Sequence, residues 1–561
     1  MPHPLYMDSR RIRHSLLLAI VLGLIATFCE KTGYAQTEPA SWHAEGTHGA
    51  VAAGGRPAAA AGIEILKAGG NAADAAAATI MALGVTDSTL FCLGGEVPIM
   101  VYDAKRGIVE VIAGQGAAPR LATVEHFRKL PDGIPATGLL SATVPAAIDA
   151  VVTLLERHGS KTFAEISAPT LKLLENPKEK WHKDLHATLT SLCQAEAKYP
   201  DRAMGLRAVS DYFYRGPVAR DIDQFSRENG GLLRYDDLAT HHTPVERPLS
   251  LNYRGHQVLK CGIWTQGPAL LEALQIFEGF DTSKMKPGSA DAIHLQAEAL
   301  KLAFADRDDY YADPNFAQVP SSEQLLDPGY AAARRSLIDP ARASLERIPG
   351  DPFDGKARKS GKALAAGPGG PSYDTTTCLA ADSAGNVVAA TPSGWSGVVA
   401  GNSGIWLGTR LQSFTLDPDS PNILVPGKRP RITLSPTLIL KDGKAVGAVS
   451  VAGGDSQDQA SIQIVTGLID FGLNPKQAIE VGRFHTDHLI GSFRQKPPAL
   501  GSLILEKAVN DDVAAELVKR GHVVQKVQRP QSNPIVLTRD PATGLIRAAG
   551  DPNSRRNAMA Y

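Results

Sequence analysis

The sequence has no excess of charge of either sign. It contains 58 Lys and Arg residues against 58 Asp and Glu residues, so its formal net charge at pH 7 is zero. A chain without a net positive field has no long-range attraction for nucleic acid or for an anionic membrane. Aromatic residues make up 6% of the chain, which is low for a surface that stacks bases. These features argue against nucleic acid as a partner.

Cysteine is scarce as well. Five cysteines occur in 561 residues, and none belongs to a C-x-x-C pair, so the sequence contains neither a zinc-ribbon pattern nor a thioredoxin-like redox motif. Four of them lie beyond the N-terminal segment: Cys92, Cys193, Cys261 and Cys378. Export would permit disulfides, but the spacing assigns no partners. We expect four buried free thiols.

Histidines lie close together at two places, His241-His242 and His485-x-x-His488. Neither place has neighbouring Cys, His or Glu residues at the spacing of a closed metal site. We therefore expect no metal and no cofactor, and we interpret these histidines as ordinary surface or core residues.

Long apolar runs are missing except near the N-terminus. Arginines within residues 10–13 precede the apolar run 15–28, which is short for a membrane span of ~20 residues. Gly33-Tyr34-Ala35 then offers small residues where a signal peptidase reads the chain. We predict a signal peptide over residues 1–35, cleaved after Ala35, and a periplasmic or secreted protein with no membrane partner afterwards. An uncleaved anchor is the alternative.

Helical and strand patterns both occur in the remaining chain. Gly69-Gly70 ends one helix and Asn71 can cap the next, while the turns Asp382–Asn386 and Asp442-Gly443 predict two hairpins. Residues 355–371 are basic and then rich in Gly and Pro, which is typical of a mobile loop. Hairpins beside long helices indicate layered sheets covered by helices. The predicted helices cover residues 57–68, 72–83, 290–311 and 457–470, and the predicted strands cover residues 97–102, 108–113, 375–381, 387–391, 437–440 and 445–452.

Three consecutive threonines, Thr375-Thr376-Thr377, directly follow the predicted loop. A threonine hydroxyl is a weak nucleophile, but it becomes useful when the chain is cut before it, because the freed α-amine can act as its base. Gly453-Gly454 follows a predicted strand, where two backbone N–H groups can form an oxyanion hole. Taken alone, both features are also common in ordinary strands and turns.

A longer series of short segments helps to interpret the threonine run and the glycine pair. The segments, in chain order, are Gly69-Gly70-Asn71-Ala72-Ala73-Asp74-Ala75-Ala76, Leu93-Gly94-Gly95, Tyr214-Arg215-Gly216, Asp237-Leu238, Tyr253-Arg254-Gly255, Gln266-Gly267, Ala303-Phe304-Ala305-Asp306-Arg307, Asp313-Pro314, Lys428-Arg429-Pro430, Leu434-Ser435-Pro436-Thr437, Gly453-Gly454 and Asp551-Pro552. In this order they resemble the γ-glutamyltransferase family of N-terminal nucleophile hydrolases, and the resemblance extends from His48 to Tyr561.

The resemblance implies a precursor that cuts itself. In the family, the nucleophilic threonine opens a short segment that leads to a D-x-x-G-N motif, and here Asp382–Asn386 follows Thr375 at the matching spacing. We therefore expect the cut between Asp374 and Thr375, giving a large subunit (residues 36–374) and a small subunit (residues 375–561) that remain together. The implied fold is α+β, a four-layer αββα sandwich.

The resemblance also implies an acyl-enzyme mechanism without a cofactor. Thr375 Oγ attacks an amide carbonyl, its α-amine takes the proton, and Gly453 and Gly454 hold the oxyanion. Ser393 falls where the family carries a threonine that supports the nucleophile, and serine keeps the hydroxyl.

The expected substrate pocket departs from that of the γ-glutamyl-cleaving members. Gln115 replaces an arginine that holds the α-carboxylate, and Ser413 replaces an acidic residue that holds the α-amine. Trp395 replaces an asparagine, and Ile432-Thr433 replaces a Ser-Ser pair. A neutral amide does not replace an arginine clamp, although Arg120, five residues after Gln115, is a candidate substitute.

Three functions are compatible with these residues. The family activity, transfer or hydrolysis of a γ-glutamyl group from a glutathione-like amide, is the reading we adopt. The alternative is an amidase or acylase for another acyl group, as in family members that act as acylases or on oxamate. An inactive exported protein of the same fold is the third, and the intact Thr375 and Gly453-Gly454 argue against it.

Overall fold

The computed structural model describes residues 41–359, 366–370, 374–529 and 531–561. The predicted signal peptide, with its cleavage site after Ala35, lies outside these residues, as does part of the predicted loop 355–371. No helix in the described part of the chain is long and apolar enough to cross a membrane.

Two seven-stranded antiparallel sheets form the centre of the molecule. The strands are β1 (His43–Gly46), β2 (Gly49–Ala53), β3 (Val97–Asp103), β4 (Ile108–Gly114), β5 (Val245–Glu246), β6 (Leu249–Tyr253), β7 (His256–Lys260), β8 (Cys378–Asp382), β9 (Val387–Ala390), β10 (Val399–Ala400), β11 (Ile405–Trp406), β12 (Thr437–Lys441), β13 (Lys444–Ala452), β14 (Phe484–His485), β15 (Ser502–Glu506), β16 (Val523–Val527), β17 (Asn533–Arg539), β18 (Ile546–Gly550) and β19 (Asn557–Ala560). The first sheet has the order β1-β18-β17-β13-β12-β7-β6, and the second has the order β19-β2-β8-β9-β3-β4-β5. Strands β10-β11 and β14-β15-β16 form two small additional sheets.

Helices cover the outer faces of both sheets. They are α1 (Arg56–Lys67), α2 (Ala72–Thr86), α3 (Val124–Arg128), α4 (Ala147–His158), α5 (Phe163–Leu174), α6 (Lys180–Glu196), α7 (Arg202–Tyr214), α8 (Pro217–Glu228), α9 (Tyr235–Ala239), α10 (Pro268–Glu278), α11 (Ala290–Tyr310), α12 (Ser322–Leu325), α13 (Pro328–Arg335), α14 (Gln457–Ile469), α15 (Pro475–Glu480) and α16 (Asp511–Lys519). The sheet of β8 packs against α1, α2 and α4, and the sheet of β13 packs against α10, α14 and α15. Helices α5 to α8 and α11 belong to the same hydrophobic clusters and pack onto other helices.

The hydrophobic core lies on both faces of the sheets, as the alternation of side chains along each strand requires. Successive side chains of a strand face opposite sides of its sheet. Ala52 of β2 belongs to a cluster between the two sheets, whereas Val51 and Ala53 pack against the outer helices. The inner cluster joins both sheets, for example through Leu379 of β8 and Leu438 of β12. The molecule is therefore an α+β, four-layer αββα sandwich, which confirms the expected fold class.

Several local predictions are confirmed within a few residues. Asn71 caps α2, since its side chain accepts the N–H groups of Ala73 and Asp74, as an N-cap residue should. The predicted hairpins around Asp382–Asn386 and Asp442-Gly443 join β8 to β9 and β12 to β13. The four cysteines beyond the N-terminal segment are free thiols, and Cys193 is the partly exposed one.

The predicted strand 375–381 was wrong at its start, because β8 begins at Cys378. The threonines before it are held by separate contacts. Thr375 makes an isolated bridge to Ser393, and the Thr376 hydroxyl donates to Asp87 at 2.5 Å. The high β propensity of these threonines therefore indicates an extended backbone here, but it does not place them in the hydrogen-bonded ladder of the sheet.

Candidate active site

Thr375 lies three residues before the start of β8, with its hydroxyl against the peptide bond before it. Its Oγ1 lies 2.6 Å from the carbonyl oxygen of Asp374 and 3.0 Å from Ser393 Oγ. Thr375 is 6% exposed, and Ser393 is fully buried. The hydroxyl is thus placed next to the carbonyl group that an attack by the threonine on its own chain would require.

The next two threonines face other parts of the molecule. The Thr376 hydroxyl is bound to Asp87, and Arg556 Nη1 lies 3.4 Å from the same oxygen. Thr377 is fully buried, and its hydroxyl has no partner among the described residues. Of the three side chains, Thr375 is therefore the one placed for chemistry at the Asp374 carbonyl.

Ser393 is positioned by the end of β9. The backbones of Thr375 and Ser393 pair in an isolated antiparallel bridge, and Thr376 N–H donates to Pro392 O at 2.9 Å. The Ser393 hydroxyl donates to the carbonyl oxygen of Asp374. Two hydroxyl groups, from Thr375 and Ser393, thus converge on one carbonyl oxygen.

A buried charged pair supports this pair of hydroxyls. Arg410 and Glu96 are almost fully buried and bound to each other, and Arg410 Nη2 also donates to Ser393 Oγ. Burial raises the pKa of Glu96 to about 7, against the opposing effect of Arg410. Burial would lower the Arg410 pKa, but the charges of Glu96 and Asp374 raise it. Arg410 therefore remains a cation next to Ser393.

The side chain of Asp374 occupies its own small pocket. Thr409 Oγ1 donates to Asp374 Oδ2 at 2.6 Å, and Trp395 N–H donates to the same oxygen at 3.3 Å. Arg410 Nη2 lies 3.8 Å from Asp374 Oδ1. The residue before the expected cut is thus bound through its carboxylate as well as through its carbonyl.

Gly453-Gly454 directly follows β13, which contacts the other sheet close to Ser393. Thr391, just after β9, and Ser450 of β13 hydrogen-bond between the sheets at 2.9 Å. Gly453 and Gly454 have φ angles of +137° and +57°, a region that glycine adopts readily. A Cβ on Gly453 would lie 2.6 Å from Gln531 O. Glycine is therefore required at position 453 by space as well as by conformation.

A cavity of about 120 Å³ lies next to this turn. Its lining includes Asp455 and Ser456 after the glycines, Gly370 before the expected cut, and Phe493. The guanidinium of Arg410 stacks over the Phe493 ring at 5.5 Å. The cavity thus borders Gly370, four residues before Asp374, and Asp455, the residue after Gly454.

Gln115 and Arg120 line a different cavity of about 340 Å³. Gln115 is buried, its Nε2 donates to Gly116 O, and its Oε1 has no partner among the described residues. Arg120 is half exposed and lies 3.8 Å from Asp237. The cations that contact the Thr375 site are Arg410, which donates to Ser393, and Arg556, which donates to the Thr375 carbonyl oxygen at 3.4 Å. The substitute role considered for Arg120 therefore gains no support from its position.

The other expected substrate residues are dispersed around the site. Trp395 contributes its backbone N–H to Asp374, and its ring packs near Trp406 at 5.9 Å. Ser413 is buried, and its hydroxyl has no partner among the described residues. Thr433 is buried, and its hydroxyl oxygen lies 3.5 Å from the side-chain amide of Gln457. Ile432 packs in the core between the sheets.

Many of the segments that carry the family resemblance make structural hydrogen bonds and ion pairs. Asp74 accepts hydrogen bonds from Asn71 and Ser160, and Asp382 Oδ2 accepts Ala72 N–H at 2.9 Å. Arg307 Nη1 lies 2.5 Å from Asp455, the residue after Gly454. These buried polar contacts fix loops of the framework.

One cluster of ligand-type side chains lies away from this site. Atoms of His294, Glu298 and His522 lie within 4.8 Å of one another. Lys301 already pairs with Glu298 at 2.6 Å, and the two rings hydrogen-bond to each other at 2.8 Å. Burial lowers the pKa of His522 to about 3. Burial thus favours neutral histidines beside the ion pair, and His522 Nδ1 has no partner among the described residues.

Sequence reasoning missed Glu96, Thr409 and Arg410. Glu96 directly follows Leu93-Gly94-Gly95, and Arg410 lies three residues before Ser413. A charged residue directly after the Leu93-Gly94-Gly95 turn was the available signal. The sequence carried no sign that these two charges, 314 positions apart, would meet.

The αββα fold with a threonine at the end of an inner strand is that of an N-terminal nucleophile hydrolase. The family model described as gamma-glutamyltranspeptidase matches residues 58–179 and 180–561. The glutathione hydrolase proenzyme of Escherichia coli (strain K12) is 30% identical over 546 residues, covering 88% of each chain. The Acylase ACY 1 proenzyme of Pseudomonas sp. (strain SE83) is 30% identical over 550 residues, covering 90% of this chain and 92% of its own.

A solved structure agrees with these relatives. The cephalosporin acylase from Bacillus halodurans superposes with a TM-score of 0.77 at 30% identity, covering 92% of this chain and 97% of its own. The chain therefore belongs to the gamma-glutamyltranspeptidase family, a family of enzymes that includes both glutathione hydrolase and acylase proenzymes.

Proposed function

We propose that this protein is an exported precursor that cuts itself between Asp374 and Thr375 and then hydrolyses or transfers acyl groups from small amides. The observation that carries the proposal is the contact of Thr375 Oγ1 with the Asp374 carbonyl at 2.6 Å. The same hydroxyl performs both reactions. In the first it attacks its own chain, and in the second it attacks a substrate amide.

Each part of the site has a role in this mechanism. The α-amine freed on Thr375 has an ordinary pKa of ~7.7–8.0, so it is neutral often enough to accept the hydroxyl proton and pass it to the leaving amine. Ser393, held by Arg410, supports the nucleophile. Gly453 and Gly454 hold the oxyanion, and water or an amine acceptor releases the acyl group from Thr375.

Two acyl groups are candidates. The γ-glutamyl group is favoured by the glutathione hydrolase relative. A non-glutamyl acyl group is favoured by the acylase relative and by the site, where Ser413 offers a neutral hydroxyl and Gln115 lines another cavity. An unpaired ammonium group gains little from such surroundings. The geometry supports the non-glutamyl amidase better.

Anilide cleavage tests the activity. Purified wild-type protein should separate into two fragments and release aniline from acyl anilides, whereas Thr375→Ala should remain a single chain without activity. Thr377→Val, which alters a buried threonine outside the site, is the matched control and should behave as wild type. A Thr375→Ala protein that is still cut or still active would contradict the proposal.

A further inference from the structure

The residue before the cut is the first acyl group that Thr375 attacks, and its side chain is bound. In the precursor, an amide bond joins the Asp374 acyl group to Thr375 N, and attack by Thr375 Oγ during self-cleavage transfers this group to the oxygen that would also carry a substrate acyl group. From this we infer that the processed enzyme binds a substrate carboxylate in the pocket of the Asp374 side chain, and that it acts on amides of short dicarboxylic acids of the succinyl type. The inference rests on the acyl-enzyme mechanism proposed above.

The pocket has the donors that a carboxylate needs. Thr409 Oγ1 lies 2.6 Å and Trp395 N lies 3.3 Å from Asp374 Oδ2, and Arg410 lies 3.8 Å from Oδ1. Thr409 and Arg410 are 1% and 0% exposed. Hydrogen bonds from buried donors to a charged acceptor are stronger than those between neutral groups. The pocket therefore distinguishes a carboxylate from a neutral group of the same shape.

Arg410 retains binding capacity once Asp374 leaves. Glu96 binds its Nε, while its Nη1 is buried and has no partner among the described residues. Departure of Asp374 removes one anion from the surroundings of this guanidinium. A buried cation that has lost an anionic neighbour favours a new anion in the same position. A substrate carboxylate supplies that anion.

The length of the aspartyl side chain sets the length of the substrate. In Asp374 two carbons, Cα and Cβ, separate the carboxylate from the carbonyl carbon that Thr375 attacks. A succinyl group has the same spacing. A glutaryl or γ-glutamyl group has one carbon more, and a malonyl group has one carbon fewer. The pocket thus selects acyl groups by the distance between the carbonyl carbon that Thr375 attacks and the carbon of the second carboxylate.

The reaction balances with water as the co-reactant. Thr375 Oγ forms a bond to the amide carbon, the C–N bond breaks, and the hydroxyl proton passes through the α-amine to the leaving amine. Water then attacks the ester and the Oγ–C bond breaks. One proton returns to Thr375 Oγ, and the dicarboxylic acid leaves.

Four anilides test the inference on processed wild-type enzyme. They are the malonyl, succinyl and glutaryl anilides and the succinamoyl anilide, in which a neutral carboxamide replaces the succinyl carboxylate. We expect kcat/KM for the succinyl compound to exceed that for the succinamoyl compound by about 10–10²-fold, the value of one or two charged hydrogen bonds. We also expect it to exceed that for the malonyl and glutaryl compounds.

Thr409→Val, which replaces the hydroxyl by a methyl group, should lower the ratio of succinyl to succinamoyl turnover about tenfold, and Thr377→Val should leave that ratio unchanged. The substrate series needs no variant, so it remains decisive if Thr409→Val is not processed. Equal rates for the succinyl and succinamoyl compounds, or a tenfold preference for malonyl or glutaryl, would overturn the inference while the mechanism stands. Failure to cut any of the four, together with an uncut chain, would instead contradict the proposed function.

Discussion

The hydroxyl oxygens of Thr375 and Ser393 lie 3.0 Å apart, and both contact the carbonyl oxygen of Asp374. Arg410 Nη2 donates to the Ser393 hydroxyl and lies 3.5 Å from the same carbonyl oxygen. Negative charge that develops on the Asp374 oxygen during an attack by Thr375 is therefore met by a hydroxyl that a buried cation polarises. Preorganised donors of this kind lower the barrier because they need no rearrangement during the reaction.

Removal of the Ser393 hydroxyl should slow both self-cleavage and turnover. Ser393→Ala deletes a hydrogen bond to the reacting carbonyl, and a loss of about 10–10²-fold in each rate is expected. The rates are followed by gel densitometry of the precursor and by anilide release from processed enzyme. Ser393→Thr keeps the hydroxyl and should remain within a few-fold of wild type. An unchanged Ser393→Ala protein would show that the serine merely fills space.

Gly454→Ala should impair turnover more than folding. At a φ of +57° alanine costs about 1–2 kcal/mol, which a folded domain tolerates, but it would shift the backbone and so displace an N–H group that we propose as an oxyanion donor. A fall in kcat of about 10²–10³-fold is expected on already processed enzyme. The matched control is Gly443→Ala, at a turn with φ +73° remote from Thr375 and with open space for a Cβ. A normal kcat for Gly454→Ala would show that Gly453-Gly454 only forms the turn at the end of a strand and does not bind the oxyanion.

The sequence was a good guide where the signal was local. Asn71 at the start of α2 and the Asp382–Asn386 turn are set by neighbouring residues, and both were predicted. The ordered segments also identified the family and its fold. The pairing of Arg410 with Glu96 was missed, because hydrophobic periodicity does not say which buried charges will meet. The roles predicted for Gln115 and Thr433 came from aligned positions, and they remain predictions.

Glu96 should make the uncut precursor less stable as pH rises. Burial and the nearby Asp374 raise its pKa to about 7 from an ordinary 4.5, against the effect of Arg410. The folded state then binds the proton more tightly than the unfolded state, so this contribution is fully present below pH 4.5 and is lost as the pH rises to about 7. Thermal unfolding of Thr375→Ala between pH 5 and 8 measures it.

The double variant Thr375→Ala, Glu96→Gln removes the titrating group. Its midpoint should depend less on pH across this range, and Thr375→Ala with the exposed Glu64→Gln should follow the parent. Identical pH dependence with and without Glu96 would show that the carboxyl of Glu96 does not titrate in this window.

The protein should not favour a γ-glutamyl amide over the matching glutaryl amide, which lacks the α-amine. Ser413 offers no charge to an ammonium group, and no buried anion is left unpaired when the ammonium is absent. We expect kcat/KM values within about tenfold of each other, or higher for the glutaryl compound. A preference for the γ-glutamyl compound of roughly 10²-fold would show that other residues bind its charged head group.

The central claim is that the chain cuts itself before Thr375 and uses this residue as its nucleophile. N-terminal sequencing of the small fragment of the purified wild-type protein tests it most directly. Self-cleavage before Thr375 should give fragments of about 339 and 187 residues, residues 36–374 and 375–561. The small fragment should begin Thr-Thr-Thr-Cys-Leu. A fragment that starts at Thr376, Thr377 or elsewhere, or a stable uncut chain, would contradict it.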